Sequence, residues 1–221
     1  RVAYVPKLKH LSGNDTAQVV YQTASIKPIR YYLKNRISDA ELVWNGNVAT
    51  GFTLTKTGSD TQGGDTLTLQ GTAKCPVGTY SYTISAKDST NNIVTNISGS
   101  FSVDTKVECT TNNLTMSVFA NTAIRPVSFR CYATDMAAVT FTGSIPGLTF
   151  AKDTANHTLT LSGTPTQTGT YTYTVSVDGG NTIEGTVTVK NDQPTVLPGK
   201  PTLLVLFKNK EENGLYTYIT G

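Results

Sequence analysis

Residues 159–177 read LTLSGTPTQTGTYTYTVSV, and residues 67–86 read LTLQGTAKCPVGTYSYTISA. After GTY, aromatic and aliphatic residues alternate with threonine and serine in both stretches. This period of two places the apolar side chains on one face of a β-strand and the hydroxyls on the other. Glycine interrupts the preceding strand at Gly71 and Gly163. Each copy therefore predicts two antiparallel strands with one buried and one solvated face.

The two copies lie within longer repeats that align element by element. ASIKPI at 24–29 matches TAIRPV at 122–127, and ELVW at 41–44 matches AVTF at 138–141. Each repeat holds about seven short predicted strands and shows no helical periodicity, which predicts an all-β chain of two tandem sandwiches.

The pattern LxLxGTPxxxGTYxYTV in this sequence resembles the bacterial immunoglobulin-like repeat, a cadherin-like sandwich of secreted and surface proteins. The resemblance implies that Tyr80 and Tyr171 are tyrosine-corner residues, whose hydroxyls hydrogen-bond back to the chain. It also implies that Tyr82 and Tyr173 occupy the core position where an antibody domain has its second cysteine. Because such repeats occur beside polysaccharide-degrading enzymes, the resemblance also raises a carbohydrate context.

The segment after the second repeat changes in composition. Three prolines between positions 194 and 201 predict an extended linker. Beyond it, LLVLF at 203–207 and LYTYI at 215–219 predict two strands, which either pair with an edge of the second sandwich or begin a third module. The spacer-like linker favours a third module. The expected division is a lead-in at 1–14, immunoglobulin-like sandwiches at 15–105 and 106–190, a Pro-rich linker at 191–201, and a β-hairpin or truncated third module at 202–221.

Composition and motifs argue against several classes of function. The net charge is +3, and the lysines and arginines are scattered, which does not indicate a nucleic-acid partner. No apolar stretch has the length of a membrane span. The histidines are His10 and His157, and no nucleophile at a recognisable spacing accompanies the pair formed by His157 and Asp153. We therefore predict no catalytic residue, no metal site and no cofactor.

Trp44 and Phe141 occupy equivalent positions in the predicted third strand of each repeat. Trp44 alternates with Leu42, and this period of two predicts that both aromatic residues are part of the core. The alternative for Trp44 is a platform on which a sugar ring stacks.

Four other tyrosines are candidates for ligand binding. Tyr31 and Tyr32 are adjacent in a predicted strand, so they point to opposite faces and one of them is expected to be exposed. Tyr216 and Tyr218 share one face of the C-terminal predicted hairpin. Each of these aromatic rings could stack on a glycan or pack against a neighbouring module.

The chain has three cysteines, and two of them could form a disulfide. Cys109 and Cys131 are suitable partners if the first strand of the second repeat runs beside the next one. The alternative is three thiols without a bridge.

Two functions remain after these exclusions. The chain is expected to be a non-catalytic extracellular spacer or interaction module of a larger secreted or surface bacterial protein. The alternative is a carbohydrate-binding accessory module of a polysaccharide-degrading enzyme. The partners expected are a polysaccharide or another surface protein, together with further domains of the same chain. Neither function requires insertion into a membrane.

Overall fold

The computed structural model describes residues 7–11, 17–34, 39–58, 64–87 and 92–191. These residues form β-strands joined by turns, and the helical structure among them is one 3₁₀ turn at Met136–Ala138. This part of the chain contains no helix that is long and apolar enough to cross a membrane. The prediction of an all-β chain is confirmed.

The first sandwich consists of two four-stranded sheets. One sheet has the order β1-β3-β6-β5, and the other has the order β2-β8-β7-β4. All pairs are antiparallel except β2 and β8, which run parallel. The strands are β1 (Lys7–His10), β2 (Val19–Tyr21), β3 (Ile29–Lys34), β4 (Asp39–Trp44), β5 (Phe52–Thr57), β6 (Asp65–Gly71), β7 (Gly78–Lys87) and β8 (Ile93–Asp104).

The second sandwich repeats this arrangement. Its sheets have the orders β13-β14-β11-β9 and β10-β16-β15-β12, again with one parallel pair, β10 and β16. The strands are β9 (Lys106–Cys109), β10 (Thr115–Phe119), β11 (Val127–Tyr132), β12 (Val139–Thr142), β13 (Leu148–Asp153), β14 (Thr158–Gly163), β15 (Gly169–Val177) and β16 (Thr182–Lys190).

Both sandwiches have immunoglobulin-like topology. In each, two sheets face each other across a core, and the chain enters one sheet with its first short strand and the other with its second. The remaining strands follow the division between the two sheets of an immunoglobulin domain. The prediction of tandem immunoglobulin-like sandwiches is therefore confirmed, with eight strands in each instead of about seven.

The segment expected to be a lead-in contributes a strand. β1 pairs with β3, and Leu8 lies opposite Leu33. Leu8 packs against the core while Lys7 and Lys9 are exposed, so this short strand follows the usual alternation. Residues 1–6 of the lead-in lie outside the described residues, as do residues 192–221 with the predicted C-terminal strands, Tyr216 and Tyr218.

A buried tyrosine pair joins the two sheets of the first sandwich. Tyr31 on β3 and Tyr82 on β7 share a hydrogen bond of 2.7 Å between their hydroxyl oxygens. Burial raises the pKa of both phenols. The Tyr82 ring lies over Gly99 on the neighbouring strand, where a Cβ would come within 2.5 Å of the Tyr82 hydroxyl oxygen. Glycine at position 99 thus leaves room for the aromatic ring.

The second sandwich replaces this pair with a tyrosine and a phenylalanine. Phe129 takes the place of Tyr31 and packs edge-to-face on Tyr173, with 6.5 Å between the ring centroids. The Tyr173 hydroxyl donates to the carbonyl of Leu114 at 3.3 Å. Gly185 lies under the Tyr173 ring as Gly99 does under Tyr82. The two cores therefore place a tyrosine ring beside a glycine in the same way, and the tyrosine hydroxyl has a different hydrogen-bond partner in each.

The tyrosine corners implied by the resemblance are present in both sandwiches. The Tyr80 hydroxyl donates to the Pro76 carbonyl at 2.7 Å, and the Tyr171 hydroxyl donates to the Gln167 carbonyl at 3.2 Å. In both cases the acceptor lies four residues upstream. Burial raises the pKa of Tyr80 to about 12.

The disulfide considered between Cys109 and Cys131 is not formed, and both thiols are free. The predicted neighbouring strands do pair, but Cys109 lies opposite Phe129 and Cys131 lies opposite Val107. The two cysteines are therefore diagonal neighbours, about 7–8 Å apart, whereas a disulfide requires Cα atoms within about 7 Å. The Cys109 thiol instead donates to the Thr111 carbonyl at 2.9 Å.

Candidate functional site

The two sandwiches are connected by one residue. β8 of the first ends at Asp104, and β9 of the second begins at Lys106. Thr105 between them is 7% exposed. Its hydroxyl donates to the carbonyl of Asp178 at 2.8 Å, in the turn between β15 and β16. The connection is therefore buried and hydrogen-bonded to the second sandwich.

Gln22 bridges the two sandwiches with its side-chain amide. The residue follows β2 and is 6% exposed. Its Nε2 donates to the Cys75 carbonyl of the first sandwich at 2.8 Å. Its Oε1 accepts from the backbone N–H of Thr134 at 2.9 Å and from the Thr134 hydroxyl at 3.3 Å, both in the second sandwich. A buried amide with donor and acceptor both satisfied holds its partners in one relative position.

The main chain of Gln22 strengthens the same contact. Its N–H donates to the Asp104 carbonyl at 2.8 Å, which extends the parallel pairing of β2 and β8 up to the connection. Gln22 is thus held in place by β8, the strand that leads into Thr105.

Aromatic and cationic side chains cover this contact. The rings of Tyr21 and Tyr132 lie 5.8 Å apart between centroids, one from each sandwich. The Lys106 ammonium lies 5.3 Å from the Tyr21 ring centroid, and the Arg130 guanidinium lies 5.6 Å from that of Tyr132. Cation–π contacts at exposed sites contribute about 0.5–1 kcal/mol each. The contact of Lys106 with Tyr21 joins the two sandwiches and adds modestly to the hydrogen bonds of Gln22, whereas Arg130 and Tyr132 both belong to β11 of the second sandwich.

The turn between β15 and β16 is shaped to fit the connection. Asn181 accepts from the Val107 N–H at 2.8 Å and donates to the Val107 carbonyl at 2.9 Å, as a paired strand residue would. A Cβ at Gly180 would lie 2.7 Å from the Thr105 carbonyl oxygen. We call this assembly of Gln22, Thr105, Thr134 and the turn 178–181 the junction.

The junction leaves a cleft of about 350 Å³ beside Tyr21 and Lys106. One carboxylate, Asp104, and one ammonium, Lys106, line it. The described residues contain no cluster of three or more histidine, cysteine or acidic side chains that could hold a metal ion.

Tyr31 and Tyr32, the two candidate ligand-binding tyrosines among the described residues, do not form an exposed aromatic surface. Tyr31 is 0% exposed and bonded to Tyr82, which corrects the expectation that it binds a ligand. Tyr32 is partly buried, and its ring lies so close to Gly64 that a Cβ there would be 2.5 Å from it. Alternation of strand faces places only one of this pair in the core, and the other is partly buried against its own sandwich.

Trp44 and Phe141 differ in their surroundings. Trp44 is partly buried and contacts Phe52, Tyr82 and Phe101 edge-to-face. Phe141 is 40% exposed, which corrects its assignment to the core. It stacks on Phe150 with 4.4 Å between centroids. The physical reason is the strand register: Phe141 pairs with Val175 and so corresponds to Leu42, whereas Trp44 pairs with Tyr82 and so corresponds to Gly143.

Asp153 and His157 form a polar turn. The Asp153 carboxylate accepts from the N–H groups of Ala155 and Asn156 and from the Asn156 side chain. The hydrogen bonds from Asn156 lower the pKa of this carboxyl group. These contacts are those of a turn-stabilising aspartate.

The expected sandwiches at 15–105 and 106–190 leave no linker between them, but the sequence does not indicate the residues that hold the connection. Gln22 and Thr134 are 112 positions apart, and neither belongs to an alternating strand pattern. The one available signal is DGGN at 178–181, a turn motif between two strands.

No protein-family model matches the chain, and no curated protein matches it. Among solved structures, titin domains Z1 and Z2 in complex with telethonin are similar at 14% identity and a TM-score of 0.34, over 87% of this chain and 100% of that chain. The Yersinia pseudotuberculosis adhesin InvE is similar at 15% identity and a TM-score of 0.33, over 83% of this chain and 58% of the adhesin chain. An endo-fucoidan hydrolase of glycoside hydrolase family 107 is similar at 19% identity and a TM-score of 0.29, over 83% of this chain and 29% of the hydrolase chain. At these identities the likeness is one of fold alone.

Proposed function

We propose that the chain is a non-catalytic extracellular spacer and interaction module of a larger secreted or surface bacterial protein. Its domains would be the second sandwich at 106–190 and the first sandwich up to residue 105, with β1 included. The Pro-rich segment at 191–201 would connect them to residues 202–221. Its partners would be further domains of the same chain and another surface protein.

The observation that carries the proposal is the junction. Domains joined in one chain move relative to each other unless their interface is well built, and flexible linkers are long and rich in glycine and serine. Here the connection is one buried residue, and Gln22 hydrogen-bonds both sandwiches. Rotation of one sandwich against the other would break these bonds. A pair held in this way can keep its two ends at a constant separation, which is what a spacer must do.

The resemblance of the GTYxYT repeat supports the exported context. The alternative, a carbohydrate-binding accessory module, would require exposed aromatic rings arranged for stacking on sugars. Tyr31 is buried, and Tyr32 is partly covered, so within the described residues these two offer little surface for that purpose. Tyr216 and Tyr218 remain predictions.

Affinity electrophoresis through gels that contain plant or host polysaccharides separates the two functions. The spacer proposal predicts no retardation by any polysaccharide. Retardation by one polysaccharide that is lost in Tyr32→Ala, Tyr216→Ala or Tyr218→Ala would support the carbohydrate-binding module instead. Tyr31→Ala is not informative, because it would damage the core.

A further inference from the structure

The second sandwich has an apolar cavity on one flank. The cavity measures about 300 Å³ and lies between the edge strands β12 and β13. Its apolar lining consists of Phe141, Ile145, Leu148, Phe150 and Leu161. Phe141 and Phe150 form its aromatic wall, and Phe141 is 40% exposed. We call it the flank cavity.

The residue of the first sandwich that corresponds to Phe141 is Leu42, because Leu42 pairs with Ile84 as Phe141 pairs with Val175. Trp44 lies two residues further along β4, opposite Tyr82, and its indole packs on Phe52 and Phe101. The second sandwich has Gly143 at that place, beside Tyr173. A glycine fills none of the space that an indole would, and Gly143 lines the flank cavity. Exposed apolar surface around a cavity indicates a place where another apolar group docks.

The backbone beside the flank cavity can accept a strand. Among the described strands, β12 pairs only with β15. The Asp178 N–H donates to the Ala138 carbonyl at 3.0 Å, so alternate residues from Ala138 face β15. This register directs the N–H and carbonyl of Phe141 away from β15. The Lys152 ammonium bonds the Val139 carbonyl at the start of β12 and leaves the end at Phe141 open.

We propose that the apolar run 203–207 of the same chain docks on the flank cavity as an added strand beside β12. LLVLF is the longest uninterrupted apolar run in the sequence, and it has the length of one strand. Pairing along an exposed sheet edge, with alternate side chains in pockets, is an established way for an extended segment to bind. This proposal is independent of the spacer function.

The chain is long enough to reach the flank cavity. Thr142 at the end of β12 pairs with Thr174, and Thr174 pairs with Glu184 on β16. Glu184 is about 20 Å along β16 from Lys190, and Thr142 lies about 10 Å to the side of β16, which is two strand spacings. The direct distance is about 22 Å. Residues 192–202 can span about 36 Å when extended. Because β12 runs parallel to β16, a segment that turns back after β16 would meet β12 in the antiparallel direction.

Amide hydrogen exchange of Phe141 in the full chain tests the docking. The double variant Leu204→Asp/Val205→Asp places a charge on each face of the apolar run, and Ile219→Asp is the matched control. We expect the Phe141 amide to exchange at least tenfold faster in the double variant and unchanged in the control. Nuclear Overhauser contacts should join the methyl groups of residues 203–206 to the Phe141 and Phe150 rings.

Two results would overturn the proposal. One is equal exchange of the Phe141 amide in the wild type and the double variant. The other is protection that rises when the protein concentration is raised tenfold, which would mean that a second copy of the chain covers the flank cavity. Neither result would bear on the junction, because Gln22 and Thr105 do not line the flank cavity.

Discussion

Replacement of Gln22 by alanine removes the amide that hydrogen-bonds both sandwiches. The change leaves the Cys75 carbonyl and the Thr134 N–H without the partners that they have in the structure. A buried polar group without a partner costs about 1–3 kcal/mol. Water can reach Thr134 in part, since its bonds are only partly buried. We therefore expect the free energy that favours the closed junction over an open one to fall by about 2–4 kcal/mol. The equilibrium constant for closing should fall roughly 30-fold to 1,000-fold.

The Thr134 amide reports on this bond directly, because its acceptor is the Gln22 side chain. Hydrogen exchange by NMR should show the Thr134 amide protected in the wild type and exchanging about 30-fold or more faster in Gln22→Ala. Gln22→Glu keeps an acceptor for Thr134 but places an oxygen against the Cys75 carbonyl. That variant should retain Thr134 protection while its free energy of unfolding falls.

Gln70→Ala is the matched control, since Gln70 is an exposed glutamine on β6. It should leave the Thr134 amide and the unfolding midpoint unchanged. The reasoning would be refuted if the Thr134 amide exchanged at the same rate in Gln22→Ala and in the wild type. It would also be refuted if that amide were unprotected in the wild type.

Three further predictions concern the cores. Tyr82→Phe should lower the free energy of unfolding by about 1–3 kcal/mol, because the Tyr31 hydroxyl loses its buried partner. The double change Tyr31→Phe/Tyr82→Phe should recover most of the lost free energy of unfolding. Urea denaturation with Trp44 fluorescence as the signal measures both variants. Gly185→Ala should destabilise the second sandwich by about 1–3 kcal/mol, since its Cβ would lie 2.2 Å from Cζ of Tyr173; an unchanged thermal midpoint would contradict this. Burial raises the pKa of Tyr173 from 10.0 to about 12, so its contribution to stability is complete below pH 10 and is lost as the pH rises to 12. In Tyr173→Phe the thermal unfolding midpoint should fall less between pH 10 and pH 12 than in the wild type. An equal fall in both proteins would contradict the attribution of this pH dependence to Tyr173.

Local alternation predicted the strands that carry the cores. Tyr82 and Tyr173 lie in long strands with a strict period of two, and both are buried. Alternation reports which face of a strand a residue occupies but not whether the strand lies at an edge. Phe141 has the correct face for the core and is nevertheless exposed, because no described strand pairs with β12 on the side away from β15.

The short first strands could not be predicted in the same way. β2 has three residues, and its partner β8 runs parallel to it from the far end of the repeat. Three residues are too few to show a period, and the pairing depends on the fold being complete. The same reason applies to Cys109 and Cys131, whose offset of two residues is set by the register between β9 and β11.

The junction depends on contacts between distant segments. Gln22 bonds Cys75 and Thr134, which are 53 and 112 positions away. A glutamine after a strand gives no local indication of such partners. The short connection was predictable from the absence of glycine and proline around Thr105, whereas the hydrogen bonds that orient the sandwiches were not.

The central claim is that the junction holds the two sandwiches as one rigid unit. Residual dipolar couplings of backbone amides in the full chain test it directly, because each sandwich reports its own alignment. The account predicts that couplings from residues 17–104 and from residues 106–191 fit one alignment tensor, and that Gln22→Ala requires two. Tensors of clearly different magnitude for the two sandwiches of the wild type would contradict it.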